Sequence, residues 1–377
     1  MMIDTITKKI NQNIVAECVS KMVKSRVGSL QGFHIEPIKT ISKNFITKGI
    51  YRIFNKTVVN HEEQAWSLIL KIIHPENDEK NVPQHHNYWK REALVFQSNF
   101  LVDCPQNIRA PRCFAVEEKE DNSIWLYLEE MRGNHEPHWT EENLCFIAKE
   151  LGKFQGAYAA GNKKLPDVPW ICKAWLSSWV KGCQQYADHP SIYYEQIKDI
   201  PQIDHVFAAY EALNDKLEYH LARLKKCPQT VSHQDLSKQN IFVTKNNDDE
   251  NQVAFIDWQF LSISALGEDL AKMFGVALSQ GDIPLDKAKN YEEALFQAYI
   301  EGLAEAGWKG NIQLVRYAFC ISIAARSFWE IPKIFKLLAY KTNDTELSRN
   351  IKQLFQIVNL QVSYAKETDE LIHQLGF

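Results

Sequence analysis

The sequence predicts an α+β chain in two lobes: an antiparallel-sheet lobe carrying one helix, then a mainly helical lobe. Three observations predict it. Short runs of branched, aromatic and leucine residues separated by polar turns fill residues 35 to 131, helical periodicity dominates from Thr140 onward, and a two-strand signal sits inside the helical half. With 377 residues, 45% hydrophobic and 24% charged, the chain is long enough for two cores.

Taken in order, "MMIDTITKKINQNIVAECV" reads as an amphipathic helix and lacks the basic, apolar and small-residue sequence of a secretory signal. "GIYRIF", "AWSLILKII" and "SIWLYLEEM" read as strands, interrupted by the helix "NYWKREALVFQSNFL", in which Ala93, Phe96 and Phe100 recur at helical spacing. "EEMRGN" is the natural connection, which divides the chain into lobes 1–131 and 132–377. The next helix, "TEENLCFIAKELGKFQGAYAAG", places Leu144, Ile147, Leu151, Phe154 and Tyr158 on one face. Thr140 can cap it, Glu141 and Glu142 suit its dipole, and Gly161 suits its stop. "IFVT" and "VAFID" flank the polar "KNNDDENQ" as a hairpin. The helices "YEEALFQAYIEGLAEAG" and a long run from Ile312 to Lys341 follow.

Composition removes several function classes. A formal net charge of -4 offers no general attraction to nucleic acid or anionic membranes, so neither is an expected partner. The most apolar run, "LVRYAFCISIAARSFWEI", is broken by Arg316, Arg326 and Glu330, so no membrane span is expected. Eight scattered cysteines without a CxxC pair read as reduced thiols, hence a cytoplasmic location. His85 and His86, and the pair His135 and His138, come without nearby cysteines or an HExxH helix and read as surface loops rather than zinc ligands.

The chemistry concentrates in "TVSHQDLSKQNIFV" and "VAFIDWQF". His233, Asp235 and Asn240 form H-x-D-x-x-x-x-N, the pattern in which an aspartate accepts a hydroxyl proton and an asparagine binds magnesium during phosphoryl transfer. A hairpin following that loop brings Asn240 and Asp257 to the same end of two strands, where both can reach the metal.

"SHQDLSKQNIFV", "FIDWQF" and "GEDLAKMF" together resemble the aminoglycoside phosphotransferase and choline kinase-like superfamily, the IDWQ form being most similar to branches that include the ecdysteroid kinase-like proteins. The resemblance implies a protein kinase-like fold. It makes Asp235 the catalytic base, Asn240 and Asp257 the Mg2+ ligands, Asp269 the brace of the catalytic loop and His233 the keeper of its shape. It gives Lys71 the α and β phosphates of ATP (or GTP), with Glu92 as its helix partner, and it places backbone groups around Glu129 and Met131 against the base. "ISKNFITKGIYRIF" departs from a glycine-rich phosphate loop, having only Gly49, so Ser42, Asn44 and Thr47 stand as the phosphate contacts. Trp258 and Gln259 follow the metal aspartate in place of DFG, and no APE follows, which disfavours a protein substrate.

The expectation is an ATP- and Mg2+-dependent O-phosphotransferase acting on a small-molecule hydroxyl, with a lean, from resemblance, to a hydroxylated antibiotic or secondary metabolite and so to antibiotic resistance. Alternatives are a metabolic kinase of a sugar, amino alcohol or steroid, and a kinase-like binding module, against which the presence of Asp235, Asn240 and Asp257 counts. Trp170, Trp175, Trp179, Tyr186, Tyr193 and Tyr194 read as core before cleft. The acids Glu195, Asp199, Asp204 and Asp248 to Glu250 read as solvated faces.

Overall fold

A computed structural model describes residues 3–27, 30, 32–39, 46–98, 100–133, 139–246, 248–340 and 345–376. The chain opens with helices α1 (Ile3–Lys9) and α2 (Gln12–Val23), then strands β1 (His34–Pro37), β2 (Thr47–Val59) and β3 (Glu62–Ile73). Helices α3 (Arg91–Gln97) and α4 (Phe100–Asp103) precede β4 (Ile108–Arg109), β5 (Cys113–Glu118) and β6 (Ile124–Glu129). Five of these strands form an antiparallel sheet in the order β1-β2-β3-β6-β5.

Alternation along β2 and β3 decides what each face of that sheet holds. Tyr51, Ile53, Trp66, Leu68, Leu70 and Ile72 point to one side and are covered by Ile6, Val15, Cys18 and Val19 of α1 and α2. On the other side Ile73, Leu126 and Leu128 pack with Trp89 and Ala93 at the start of α3.

The remainder is mainly helical: α5 (Glu141–Ala159), α6 (Trp175–Tyr186), α7 (Ser191–Ile197), α8 (Ile203–Leu224), α9 (Glu268–Gln280), α10 (Ala288–Glu305), α11 (Ile312–Ala325), α12 (Ser327–Ala339) and α13 (Thr345–Leu375). Four short strands lie among them, β7 (Gln229–Ser232), β8 (Ile241–Lys245), β9 (Asn251–Phe255) and β10 (Ser262–Ala265). β8 and β9 form the expected hairpin, β4 adds to it in parallel, and β7 pairs with β10. Because β4 crosses to that hairpin, Val95, Cys104 and Ile108 are buried in the core of the helical part.

α5 and α10 pack so closely that glycine is required on both. A Cβ at Gly302 would lie 2.1 Å from the Lys149 carbonyl, and one at Gly152 would lie 2.2 Å from that of Tyr299. Thr140 caps α5 as expected, its hydroxyl accepting from the Asn143 N–H at 3.2 Å.

Three helical runs are shorter than the periodicity predicts. The N-terminal run divides at Asn11, whose side chain caps α2 by accepting from the Asn13 N–H. "NYWKREALVFQSNFL" becomes α3 and α4 because Ser98 is extended and its hydroxyl accepts from Phe100 N–H instead. Ile312 to Lys341 divides at Arg326, whose N–H tightens onto Ile323 while its carbonyl starts α12. Among the described residues no helix is long and apolar enough to cross a membrane.

Candidate active site

The end of β7 delivers the chain into a loop held by backbone hydrogen bonds. Asp269, in the first turn of α9 and fully buried, accepts from the N–H groups of His233 at 2.7 Å and Gln234 at 2.8 Å. Burial pushes its carboxyl up to about 6, and those two N–H bonds work in the opposite direction. Gln234 takes φ +64°, a left-handed turn that reverses the chain just before Asp235.

His233 is buried, and burial pushes its imidazole down to about 4, so the ring is neutral near pH 7. Its Nε2–H donates to the Ile256 carbonyl at 2.9 Å and its Nδ1 accepts from the Asp235 N–H at 3.2 Å. The ring therefore ties the loop to the end of β9. Asn240 closes the loop, its Nδ2 donating at 2.9 Å to both the carbonyl and the Oδ2 of Asp235. Hairpin register does the rest: Ile241 opposes Phe255, and the Ile256 N–H bonds the Asn240 carbonyl at 2.9 Å, so Asn240 and Asp257 end up neighbours in space.

Across the cleft, Lys71 near the end of β3 lies 2.6 Å from Glu92 of α3 and 2.9 Å from Asp257. Burial works against the ammonium, but Asp257 and Glu92 outweigh it and hold Lys71 above the usual lysine range. Burial pushes Glu92 up to about 7 against the pull of Lys71, with Asp257 adding to the rise. One cation thus faces two carboxylates. Asp235, half-buried, is pushed up by burial against the pull of Lys272, and Asp257 raises it further. The surplus of carboxylate oxygen suits a hard divalent cation and the phosphates it accompanies. The Asn240 amide fits the same use, since its Nδ2 is committed to Asp235 and Oδ1 is left.

Residues 54–308 match the phosphotransferase enzyme family (APH). The chain belongs to that family. No curated protein matches the sequence in a direct comparison. Among solved structures, an amicoumacin kinase in complex with AMP-PNP, Ca2+ and Ami is similar at TM-score 0.55 and 12% identity, over 95% of this chain and 96% of that one. A microcompartment-associated aminopropanol kinase is similar at TM-score 0.51 and 12% identity, over 93% and 98%. The protein kinase-like fold and the assignment to small-molecule phosphotransferases both stand.

In this phosphotransferase the structure brings together Lys71, Glu92, Asp257, Asp235, Asn240, His233 and Asp269. Glu129 and Met131 lie apart, beyond the stretch of β6 that pairs with Lys71. The Glu129 amide is engaged with the Arg112 carbonyl at 2.8 Å, and its carboxylate holds Arg109 at 2.5 Å. Arg109 also donates to the Met131 Sδ at 3.2 Å, so these side chains build the linker. Thr47 pairs with Ile73 at the start of β2, while Ser42 and Asn44, together with His135 and His138, lie outside the described residues.

The surface-loop reading of His85 and His86 is corrected. Both are half-buried; His86 Nδ1 lies 2.9 Å from the Ser178 hydroxyl, and burial pushes its imidazole down to about 3. The reason is the neighbouring Arg91. Its fully buried guanidinium donates to the carbonyls of Trp170, His86, Gln259, Pro83 and His85, drawing that loop inward. Sequence reading passed over Arg91 because a basic residue in a helical first turn reads as solvated. It also passed over Gln155 of α5, which donates to Asp269 at 3.1 Å and accepts from Tyr299. Lys272 was missed as well, although its place three residues after Asp269 on α9 was a legible signal.

Proposed function

We propose that the chain transfers the terminal phosphoryl group of ATP, with GTP as the alternative donor, to a hydroxyl of a small molecule. The observation that carries this reading is Lys71 held between Glu92 and Asp257, with Asp257 beside the Asp235 and Asn240 pair. Lys71 binds donor phosphates and Glu92 fixes its reach. Asn240 and Asp257 would hold Mg2+, which when bound neutralises charge on the phosphates. The acceptor oxygen bonds to the γ-phosphorus, the bond from that phosphorus to the β–γ bridging oxygen breaks, and the nucleoside diphosphate leaves with the electron pair. The hydroxyl proton goes to Asp235, whose upward-shifted carboxyl is a better base than an ordinary aspartate. His233 and Asp269 position that carboxylate without touching substrate.

In this reading residues 1–131 form the nucleotide lobe and residues 132–377 carry the catalytic loop and the acceptor pocket. The acceptor in this reading is a hydroxylated antibiotic or secondary metabolite, with a sugar, amino alcohol or steroid as the alternative; the fold is shared by an amicoumacin kinase and an aminopropanol kinase alike. The test is Mg2+-dependent ATP and GTP consumption across hydroxylated antibiotics, sugars, amino alcohols and steroids, with Asp235→Ala as the blank. Turnover lost in the variant is expected; turnover equal in both proteins overturns the assignment.

A further inference from the structure

Arg91 opens α3 immediately before Glu92, and its guanidinium is fully buried. A guanidinium carries five N–H donors in one plane, and here every one meets a backbone carbonyl. Nε donates to Trp170 at 3.2 Å, Nη1 to His86 at 2.8 Å and to Gln259 at 3.1 Å, and Nη2 to Pro83 at 2.9 Å and to His85 at 2.6 Å. An apolar side chain would fill the same volume without desolvating a charge, so filling space does not account for an arginine here. What the guanidinium adds is the joining of three segments that are distant in sequence.

Four of the carbonyls form a fixed frame. Pro83, His85 and His86 lie in the loop before α3, which is fastened to the helical part: the Gln84 side chain donates to the Pro169 carbonyl at 3.2 Å, and the His86 N–H donates to the Ser178 hydroxyl at 3.1 Å. Trp170 follows Pro169 on that same stretch. The fifth carbonyl, of Gln259, belongs to the turn that leaves β9 through Asp257. Asp257 takes φ +63° and ψ +67°, a left-handed conformation that disfavours a side chain and persists only where its surroundings hold it. Trp258 holds one point of this turn, buried with its ring 4.8 Å from that of His233, and Arg91 holds the next. Helix α3 thus grips the turn from two successive residues. Glu92 acts on the Asp257 side chain through Lys71, and Arg91 acts on the backbone two residues later.

We infer that Arg91 is a positioning residue for the metal: by tying Gln259 to the fixed frame it sets the direction in which Asp257 presents its carboxylate, without itself touching ion, nucleotide or acceptor. The inference rests on the reading of Asp257 as an Mg2+ ligand.

The test uses the full chain and follows ADP binding by calorimetry in Mg2+ and in EDTA. In the unmodified protein Mg2+ is expected to tighten ADP binding. Arg91→Lys keeps the charge without the planar fork, and Arg91→Gln keeps a planar donor without the charge. Both are expected to lower the Mg2+ affinity of the ADP complex by about 10- to 100-fold, the usual effect of losing a group that orients a metal ligand, and to leave ADP affinity in EDTA unchanged. A full Mg2+ effect in both variants overturns the inference. So do equal losses with and without Mg2+, which would make Arg91 a packing residue, and recovery in Arg91→Lys alone, which would place the effect in the charge. If neither variant folds, solvent exchange of the Arg91 Nε–H in the unmodified protein decides. Because coupling is reciprocal, Mg2+ is expected to slow that exchange about tenfold or more in the ADP complex, and an unchanged rate overturns the inference. Mg2+ without effect on ADP binding in the unmodified protein would overturn the metal reading itself, whereas a failure confined to the Arg91 measurements leaves that reading standing.

Discussion

The two sides of the cleft hold their lysines differently. Around Lys71 two carboxylates, Glu92 and Asp257, are both in contact with one ammonium, whereas Lys272 feels Asp235, Asp269 and Glu330 at longer range and, among the described residues, contacts none of them. A surplus of carboxylate in direct contact with a cation suits exchange for a metal and its phosphates, while charges at longer range tune Asp235 without closing the site over it.

The largest effects should fall on the carboxylate side, where two aspartates give different failures. Asp235→Ala is expected to lower turnover by about 10² to 10⁴ while calorimetry shows nucleotide binding nearly intact. Asp257→Ala should lose Mg2+-dependent nucleotide affinity as well. In the absence of ligand, however, it leaves Lys71 and Glu92 as a one-to-one buried pair, so its urea midpoint should stay level or rise. A fall in that midpoint would show that the second carboxylate stabilises the fold and that no surplus exists.

Lys71→Met makes the converse change. It leaves Glu92 buried and without its cation, and the expected loss is about 3 to 5 kcal/mol in urea denaturation. The folded-state carboxyl of Glu92 already lies above its unfolded value, and without Lys71 it rises further. The protonated form is the one the fold tolerates, so the loss should grow as pH rises from 6 to 8. A loss independent of pH would place its origin in packing.

How much of this was legible in the sequence follows the same division. His233, Asp235, Asn240 and Asp257 were readable because the phosphoryl-transfer chemistry fixes their spacing on a loop and a hairpin, both local structures. Lys71 and Glu92 came with them, through a strand and a helix on one side of the connection. Arg91 and Gln155 were not readable, since each acts through tertiary contacts: five carbonyls brought together from distant segments in the first case, Asp269 and Tyr299 in the second. The glycines of α5 and α10 were equally silent. Periodicity placed those helices and said nothing of how closely they meet.

That close contact gives the next prediction. Gln155 and Tyr299 lie on α5 and α10 and are joined by a hydrogen bond, and Gln155 donates to Asp269, so the helix spacing sets the brace under the proposed catalytic loop. Gly302→Ala should separate the helices and cost about 1 to 3 kcal/mol, with turnover falling more than nucleotide affinity. An alanine tolerated without loss in either measurement would show that the brace does not depend on this contact.

The last prediction concerns Glu268, buried in the first turn of α9. Its carboxyl titrates near 4.3 in the unfolded chain and is pushed up to about 8 by burial in the fold. The folded state therefore binds the proton more tightly. That contribution is fully present below about pH 4 and is lost as pH rises through 8, so unfolding free energy should decline across the window. Glu268→Gln keeps an oxygen for the Ala265 N–H but cannot ionise. Its stability should fall less between pH 6 and 9 than that of the parent, with the two curves converging at low pH. Curves that stay parallel across that range would mean that Glu268 is ionised in the fold.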